Sequence, residues 1–297
     1  MFLANRENFK SFILRYKIFR DVAWRFVAGE TLEEAIRAVR EANSHGLRGA
    51  LDLLGENSGS REDARNASRE VFQMLDTIRQ DGVDCNVSVK LTQLGLDLDN
   101  EFCYQNLREI VHHARSLGNF IRVDMEGSAY TQRTLDIVLR LRGEFENVGA
   151  VIQAYLYRSE KDLRHLLAAR VRIRLCKGAY LEPESVAFKM KTDTDANFVK
   201  LMKLLLDSGI YHGIGTHDPK MIAATKRYAT ERSIPPSGFE FQMLYGVRRD
   251  LQIRLAREGY NMRVYIPYGR AWFPYFMRRL AERPANLFFI LRNLFRD

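Results

Sequence analysis

The 297-residue chain has little cysteine: Cys85, Cys103 and Cys176 are its only three. They are odd in number, widely spaced, form no CxxC pair and have no histidines at metal-ligand spacing. That excludes a disulfide scaffold or a zinc ribbon and predicts reduced, cytoplasmic thiols with no metal. Long apolar runs are also missing. The opening MFLANRENFKSFILRYK is broken by charges every few residues, unlike a secretory leader, and no stretch reaches the roughly 18 uninterrupted apolar residues of a membrane span. A soluble or peripheral protein is expected. Tracts of one charge sign are absent as well: the net charge is +9, but basic residues are interspersed with acids and no Lys/Arg run interleaves with aromatics. Nucleic acid is thereby disfavoured as a partner, while an anionic membrane surface and acidic ligands stay open. There is no GxGxxG fingerprint and no Pro/Ser-rich linker, which argues against an open dinucleotide-binding sheet and against a division into separate domains.

What is present is a succession of apolar, β-branched runs, each followed by a polar or Gly-bearing turn and then a helical pattern. They fall at GALDLL near 49, CNVSVKL near 85, FIRVDM near 120, GAVIQAYL near 149, VRIRLCK near 171, GIGTH near 213, FEFQML near 239 and MRVYIP near 262. Alternating strand and helix predicts parallel βαβ units. Eight of them within about 250 residues predict an α/β fold closed as a (βα)8 TIM-like barrel. The expected organisation is an N-terminal helical arm over 1–40 and a barrel over 41–297.

In such a barrel the βα loops build the mouth, so polar residues at the C-terminal ends of strands are the candidates for chemistry. Glu56 follows the first strand, Lys90 ends the second, Asp124 the third; Gln153 lies in the fourth, Arg174 and Lys177 close the fifth, Thr216 and His217 the sixth, and Tyr265 lies in the eighth. A charge inside apolar strand sequence, such as Lys90 in VSVKLT or Arg174 in VRIRLC, is costly to bury unless paired or facing a ligand. Near the end, WFPYFMRRLAE sets Tyr275, Arg278, Arg279 and Glu282 at i, i+3, i+4 and i+7, on one helix face. That stripe is either a solvated surface or, if the helix leans over the mouth, a pair of guanidiniums able to grip a carboxylate.

These segments resemble the proline dehydrogenases. RVYIPYGRAWFPYFMRRLAERPANL carries most of the likeness, joined in order by LDLLGE, VSVKLTQLG, RVDMEGS, IQAYL, IRLCKGAY, GTHD and FQMLYG. The resemblance implies a distorted barrel holding FAD, with the last helix over the mouth. It implies that L-proline is oxidised to Δ1-pyrroline-5-carboxylate by hydride transfer from C5 to the flavin, with electrons passed to a membrane quinone from the cytoplasmic side. It assigns Lys90, Arg278 and Arg279 to the proline carboxylate, Tyr265, Tyr275 and Leu244 to the ring, and Glu282 to the arginines. Glu56 with Arg278 would form a gate. Arg174 would stand near flavin N5, where a cation stabilises the reduced ring, and Asp124 would orient the tyrosine and arginine network. Met125, Gln153, Lys177, Gly178, Ala179, Thr216 and His217 match cofactor contacts, with Gly178 letting backbone approach a phosphate and Lys177 supplying charge.

Two positions depart from the family pattern: Cys176, where an aliphatic residue is usual, and Leu181, where an aromatic is common in some members. Neither removes a charged contact, and Cys176 reads as an inert core thiol. The chain is too short to carry an appended aldehyde dehydrogenase, so a pyrroline-5-carboxylate dehydrogenase is expected as a separate partner. The alternatives are a hydroxyproline dehydrogenase on the same barrel, against which Tyr265 argues, and a cofactor-free barrel binding an anion. The amphipathic N-terminal arm and ANLFFILRNLFRD at the end suggest either membrane contact or packing on the protein's own body.

Overall fold

The computed structural model describes residues 24–281, with side chains through Met277. Eight parallel strands close in sequence order into a barrel. They are β1 (Arg48–Leu53), β2 (Cys85–Val89), β3 (Ile121–Val123), β4 (Val148–Gln153), β5 (Arg172–Cys176), β6 (Gly213–Gly215), β7 (Glu240–Leu244) and β8 (Asn261–Tyr268). All eight coincide with the apolar runs read from sequence, and β8 pairs back onto β1 over the full length of β1, from Arg48 opposite Arg263 to Leu53 opposite Tyr268.

The helices are α1 (Leu32–Ser44), α2 (Arg61–Asp81), α3 (Asn100–Ser116), α4 (Thr131–Arg142), α5 (Ser159–Ala168), α6 (Lys191–Asp207), α7 (Pro219–Glu231), α8 (Arg249–Arg257) and α9 (Trp272–Ala281). Local chemistry starts several of them. Thr31 and Glu34 form a reciprocal capping box on α1, Ser60 and Asp99 cap α2 and α3, and Asp218 caps α7 just ahead of Pro219. One continuous apolar core fills the space between the strands and the helical ring.

Two helices break the regular scheme. α1 straddles residue 40, where the arm was expected to end, and packs Ala35, Ile36, Val39 and Ala42 toward β1 and β8. It thus stands where the helix after β8 would stand in a regular barrel. α9, displaced from that place, buries Trp272, Phe273, Tyr275 and Phe276 in a second cluster with Phe26, Val27, Leu54 and Val247, with Leu244 packed beside it. Leu54 directly follows β1 and Leu244 ends β7, so this cluster sits at the C-terminal strand ends. α9 therefore lies at the mouth and not alongside the barrel. The Phe26–Glu30 stretch is tied in by Ala28 N–H donating to the Pro267 carbonyl at 2.8 Å, Gly269 N–H to the Gly29 carbonyl at 3.0 Å, and Trp272 Nε1–H to Glu30 at 2.9 Å.

Candidate active site

Because side chains alternate along a strand, one residue in two faces the barrel interior. The inward set here is largely polar: Ser88 and Lys90 on and after β2, Arg122 and Asp124 at β3, Arg172 and Arg174 on β5, Glu240 and Gln242 on β7, Arg263 and Tyr265 on β8. Their hydrogen bonds run across the lumen and group into an upper and a lower network, joined through Gln242, which donates to Glu240 and accepts from Arg174.

The upper network stands at the mouth. Asp124 accepts from Arg174 Nη1 at 2.8 Å on one oxygen and from the Tyr265 hydroxyl at 2.7 Å on the other. Lys90 Nζ lies 3.4 Å from that hydroxyl and 3.8 Å from Asp124. Arg174 also donates from Nη2 to Ser88 at 3.1 Å and from Nε to the Gln242 side chain, and its guanidinium carbon lies 5.1 Å from the Tyr265 ring centre. Four residues singled out from sequence, Lys90, Asp124, Arg174 and Tyr265, thus form one unit, buried except for the half-buried Tyr265. Burial first, and then the Asp124 charge, push the Tyr265 phenol well above its ordinary range, so it stays protonated and donates.

The member that sequence reasoning missed is Asp52. It ends the inward row of β1, is 1% exposed, and lies 2.5 Å from Lys90 Nζ. Ser88 and Gln242 were missed too. The available signal was alternation: each lies two residues from another inward polar group, as in S-V-K and E-F-Q.

Besides Arg174, the residues expected at the cofactor form an arc over the ends of β3 to β6. Gln153 bridges two loops, its Nε2 donating to the Glu126 carbonyl at 3.0 Å and its Oε1 accepting Ala179 N–H at 3.0 Å. Thr216 Oγ1 accepts Asp218 N–H at 3.1 Å. His217 Nε2 accepts Leu244 N–H at 2.8 Å, which puts its ring proton on Nδ1 and links this arc to the apolar cluster under α9. Lys177 sits between Asp195 at 2.5 Å and Asp218 at 2.6 Å, so its charge is already shared. Gly178 has φ of 146°, and a Cβ there would strike the Tyr155 ring at 2.5 Å; the space its missing side chain makes is filled by that ring. Met125 is buried beside Asp124, and Glu56 is half-buried after β1. Tyr275 and Leu244 meet in the cluster beneath α9. The side chains of Arg278 and Arg279, all of Glu282, and the amphipathic terminal segments lie outside the described residues. Among the described residues no group of three His, Cys, Asp or Glu could hold a metal.

A closed parallel barrel with a buried row of alternating cations and carboxylates at its mouth has the architecture of a (βα)8 enzyme. Residues 35–292 match the family described as proline dehydrogenase. The chain is 44% identical over 294 residues to proline dehydrogenase 1 of Bacillus subtilis strain 168, covering 99% of this chain and 97% of that one. It is 43% identical over 279 residues to the proline dehydrogenase of Deinococcus radiodurans, covering 92% and 90%. Among solved structures, proline utilization A from Bdellovibrio bacteriovorus, inactivated by N-propargylglycine, aligns with a TM-score of 0.83 at 27% identity, over 88% of this chain and 32% of that longer one. The chain belongs to the proline dehydrogenase family.

Proposed function

We propose that this chain oxidises L-proline to Δ1-pyrroline-5-carboxylate with FAD as resident cofactor and a membrane quinone as final acceptor. The reading rests above all on the Lys90–Tyr265–Asp124–Arg174 unit, which joins an ammonium suited to a substrate carboxylate to a guanidinium suited to an electron-rich ring.

The donor chemistry fits a flavin. Arg174 uses three of its five N–H donors on Asp124, Gln242 and Ser88, which leaves donors for an anionic ring. Gln153, Lys177, Thr216 and His217, with the backbone at Met125, Gly178 and Ala179, offer polar contacts for the rest of the cofactor. Bound FAD supplies the two-electron acceptor for the hydride that leaves proline C5. Everything else falls to side chains. Lys90, with Arg278 and Arg279, holds the carboxylate and so fixes the ring's orientation. Tyr265, pinned by Asp124, offers its ring face to the pyrrolidine, joined by Tyr275 and Leu244. Glu282 pairs with the arginines, and Glu56 closes on Arg278 as a gate. The pyrrolidine nitrogen has to be neutral at the moment of transfer.

Tyr265 also favours proline over 4-hydroxyproline, because a phenol locked to Asp124 at 2.7 Å cannot swing aside for an added hydroxyl. Electrons leave to the quinone at the cytoplasmic face of the membrane, where the chain binds peripherally, and a separate dehydrogenase takes the product onward. Among the described residues no helix is long and apolar enough to cross a membrane.

Purified protein is expected to be yellow, to bleach under proline without oxygen, and to recover its colour when quinone is added. Arg278→Met is expected to weaken proline binding steeply while the flavin stays bound. A colourless protein that takes up no FAD, or a higher kcat/KM for 4-hydroxyproline, overturns the reading.

A further inference from the structure

The resemblance assigns a role to Lys90 but none to the carboxylate that holds it. Asp52 and Lys90 are both buried, and their 2.5 Å contact is the shortest that Lys90 makes. Lys90 engages Oδ1 of Asp52, and the Tyr265 hydroxyl lies near the carboxylate, but the buried Oδ2 makes no hydrogen bond among the described residues. A buried charged carboxylate with one oxygen left bare is costly, and the part of that cost due to the charge is removed when that oxygen carries a proton.

Within the described unit two cations, Lys90 and Arg174, face two carboxylates, Asp52 and Asp124, and the buried Glu126 also feels the Lys90 charge. The groups around Asp52 are Lys90 from β2, Asp124 from β3, and Tyr265 and Tyr268 from β8, with Arg174 of β5 behind Asp124 and Tyr180 facing Lys90. A substrate carboxylate arriving at Lys90 competes with Asp52 for one ammonium. Proline enters as a zwitterion, whose ring nitrogen has to lose a proton before hydride can leave C5.

We propose that Asp52 is a positioning and proton-holding residue. It fixes Lys90 before substrate arrives and, when the substrate carboxylate takes over the ammonium, it holds the proton given up by the pyrrolidine nitrogen. One N–H bond breaks and one O–H bond forms, no electrons change hands, and the total charge of site plus substrate is unchanged. Burial already pushes the Asp52 carboxyl above the ordinary range against the pull of Lys90, and a second carboxylate sharing Lys90 adds to that push. The proposal rests on the reading that Lys90 binds a substrate carboxylate.

The test is proton counting. The flavin-loaded enzyme is titrated with cyclopentanecarboxylate, a ring anion with no amine proton to give, by calorimetry at about pH 8 in two buffers of different ionisation enthalpy. About one proton is expected to be taken up per anion bound, with Kd rising toward tenfold per pH unit by one-proton linkage. Asp52→Asn is expected to bind the anion with no proton uptake and a flat pH dependence, and Asp52→Glu to restore the uptake. A purely structural role for Asp52 would shift thermal stability but not the proton count. Binding to the wild-type enzyme without proton uptake overturns the proposal, whatever the variants do. If the anion fails to bind while proline still bleaches the flavin, the carboxylate role of Lys90 fails and the proposal falls with it. If the anion binds with one proton but proline does not bleach the flavin, the redox reading fails and the role of Asp52 stands.

Discussion

The two ends of the barrel are built from the same inward-facing strand positions but manage charge in opposite ways. At the mouth, Lys90 and Arg174 are matched by Asp52 and Asp124. At the lower end Arg48, Arg122, Arg172 and Arg263 gather around one buried acid among the described residues, Glu240, with the exposed Asp84 at the rim. Glu240 accepts from Arg263 at 2.9 Å and 3.1 Å and from Tyr211 at 3.0 Å. Arg122 has no carboxylate. It donates to the Ala150 carbonyl at 3.0 Å and to the Arg172 carbonyl, with its guanidinium 4.8 Å from the Phe120 ring centre. Gly149 makes the room, since a Cβ there would meet Arg122 at 2.6 Å. Paired side chains can exchange partners when a ligand comes, whereas Arg122, fixed to carbonyls and a ring, has nothing to exchange. The same residue types thus serve exchange at one end and permanent scaffolding at the other.

The largest effect should come from breaking the mouth. Lys90→Met leaves Asp52 buried without its counter-ion and, on the proposed reading, takes one of three cations from the substrate carboxylate; the loss of about 2–5 kcal/mol typical of a truncated buried pair corresponds to a fall in proline kcat/KM of about thirtyfold or more. Steady-state kinetics on the flavin-loaded variant checks it, and a loss under tenfold would show that Lys90 does not bind substrate.

Glu240→Gln is the matching break at the lower end. It removes the one buried acid among several arginines, and stability should fall by about 3–5 kcal/mol, read by denaturant unfolding. Glu240 is joined through Gln242 to Arg174, so kcat/KM should fall as well, but by less than tenfold. An equal loss at both readouts would mean that the two ends work as one network.

Much of this was legible from sequence. The strands announced themselves as apolar runs, and Lys90, Asp124, Arg174 and Tyr265 stood out as polar groups within them. Asp52 in LDLL looked no different from a strand-end acid, because its pairing with Lys90 depends on the β1–β2 register, which sets Asp52 opposite Ser88. The lower arginines were hidden for a related reason: Arg172 and Arg174 are neighbours on one face of β5, yet one belongs to the scaffold and the other to the site. Only depth along the barrel axis separates them. The placement of α9 had a sequence cue in its polar stripe, but what anchors it is the opposite, aromatic side meeting Phe26, Val27 and Leu54.

A smaller effect is expected from pH. His212 is buried at the lower end, where Nδ1 accepts Ile173 N–H at 2.9 Å and Nε2 faces Ser208 at 3.0 Å. Burial first, then Arg122 and Arg172, push its imidazole down to about 3. The unfolded chain takes up that proton near pH 6.5 and the folded one does not, so the contribution is present above about 6.5 and lost as pH falls toward 3. Stability should decline in this window by up to about 1.4 kcal/mol per pH unit from this group. His212→Gln, which can keep both hydrogen bonds, should remove that one-proton component from the unfolding curves.

The smallest effect should be the most telling, because it asks whether a buried charge without an acid partner is needed at all. Burial and the neighbouring Arg174 and Arg172 charges push the Arg122 guanidinium well below its ordinary range, so the fold holds it against desolvation and like-charge repulsion. Even buried ion pairs can often be replaced by well-packed apolar side chains of similar volume at no cost in stability. Arg122→Met gives up hydrogen bonds to two carbonyls but relieves both penalties, and its unfolding free energy should stay within about 1 kcal/mol of the parent, with proline kcat/KM within about twofold. A loss of several kcal/mol would instead show that the carbonyl bonds of Arg122 hold β3, β4 and β5 together. The lower end would then depend on its excess arginine as strictly as the mouth depends on its pairs.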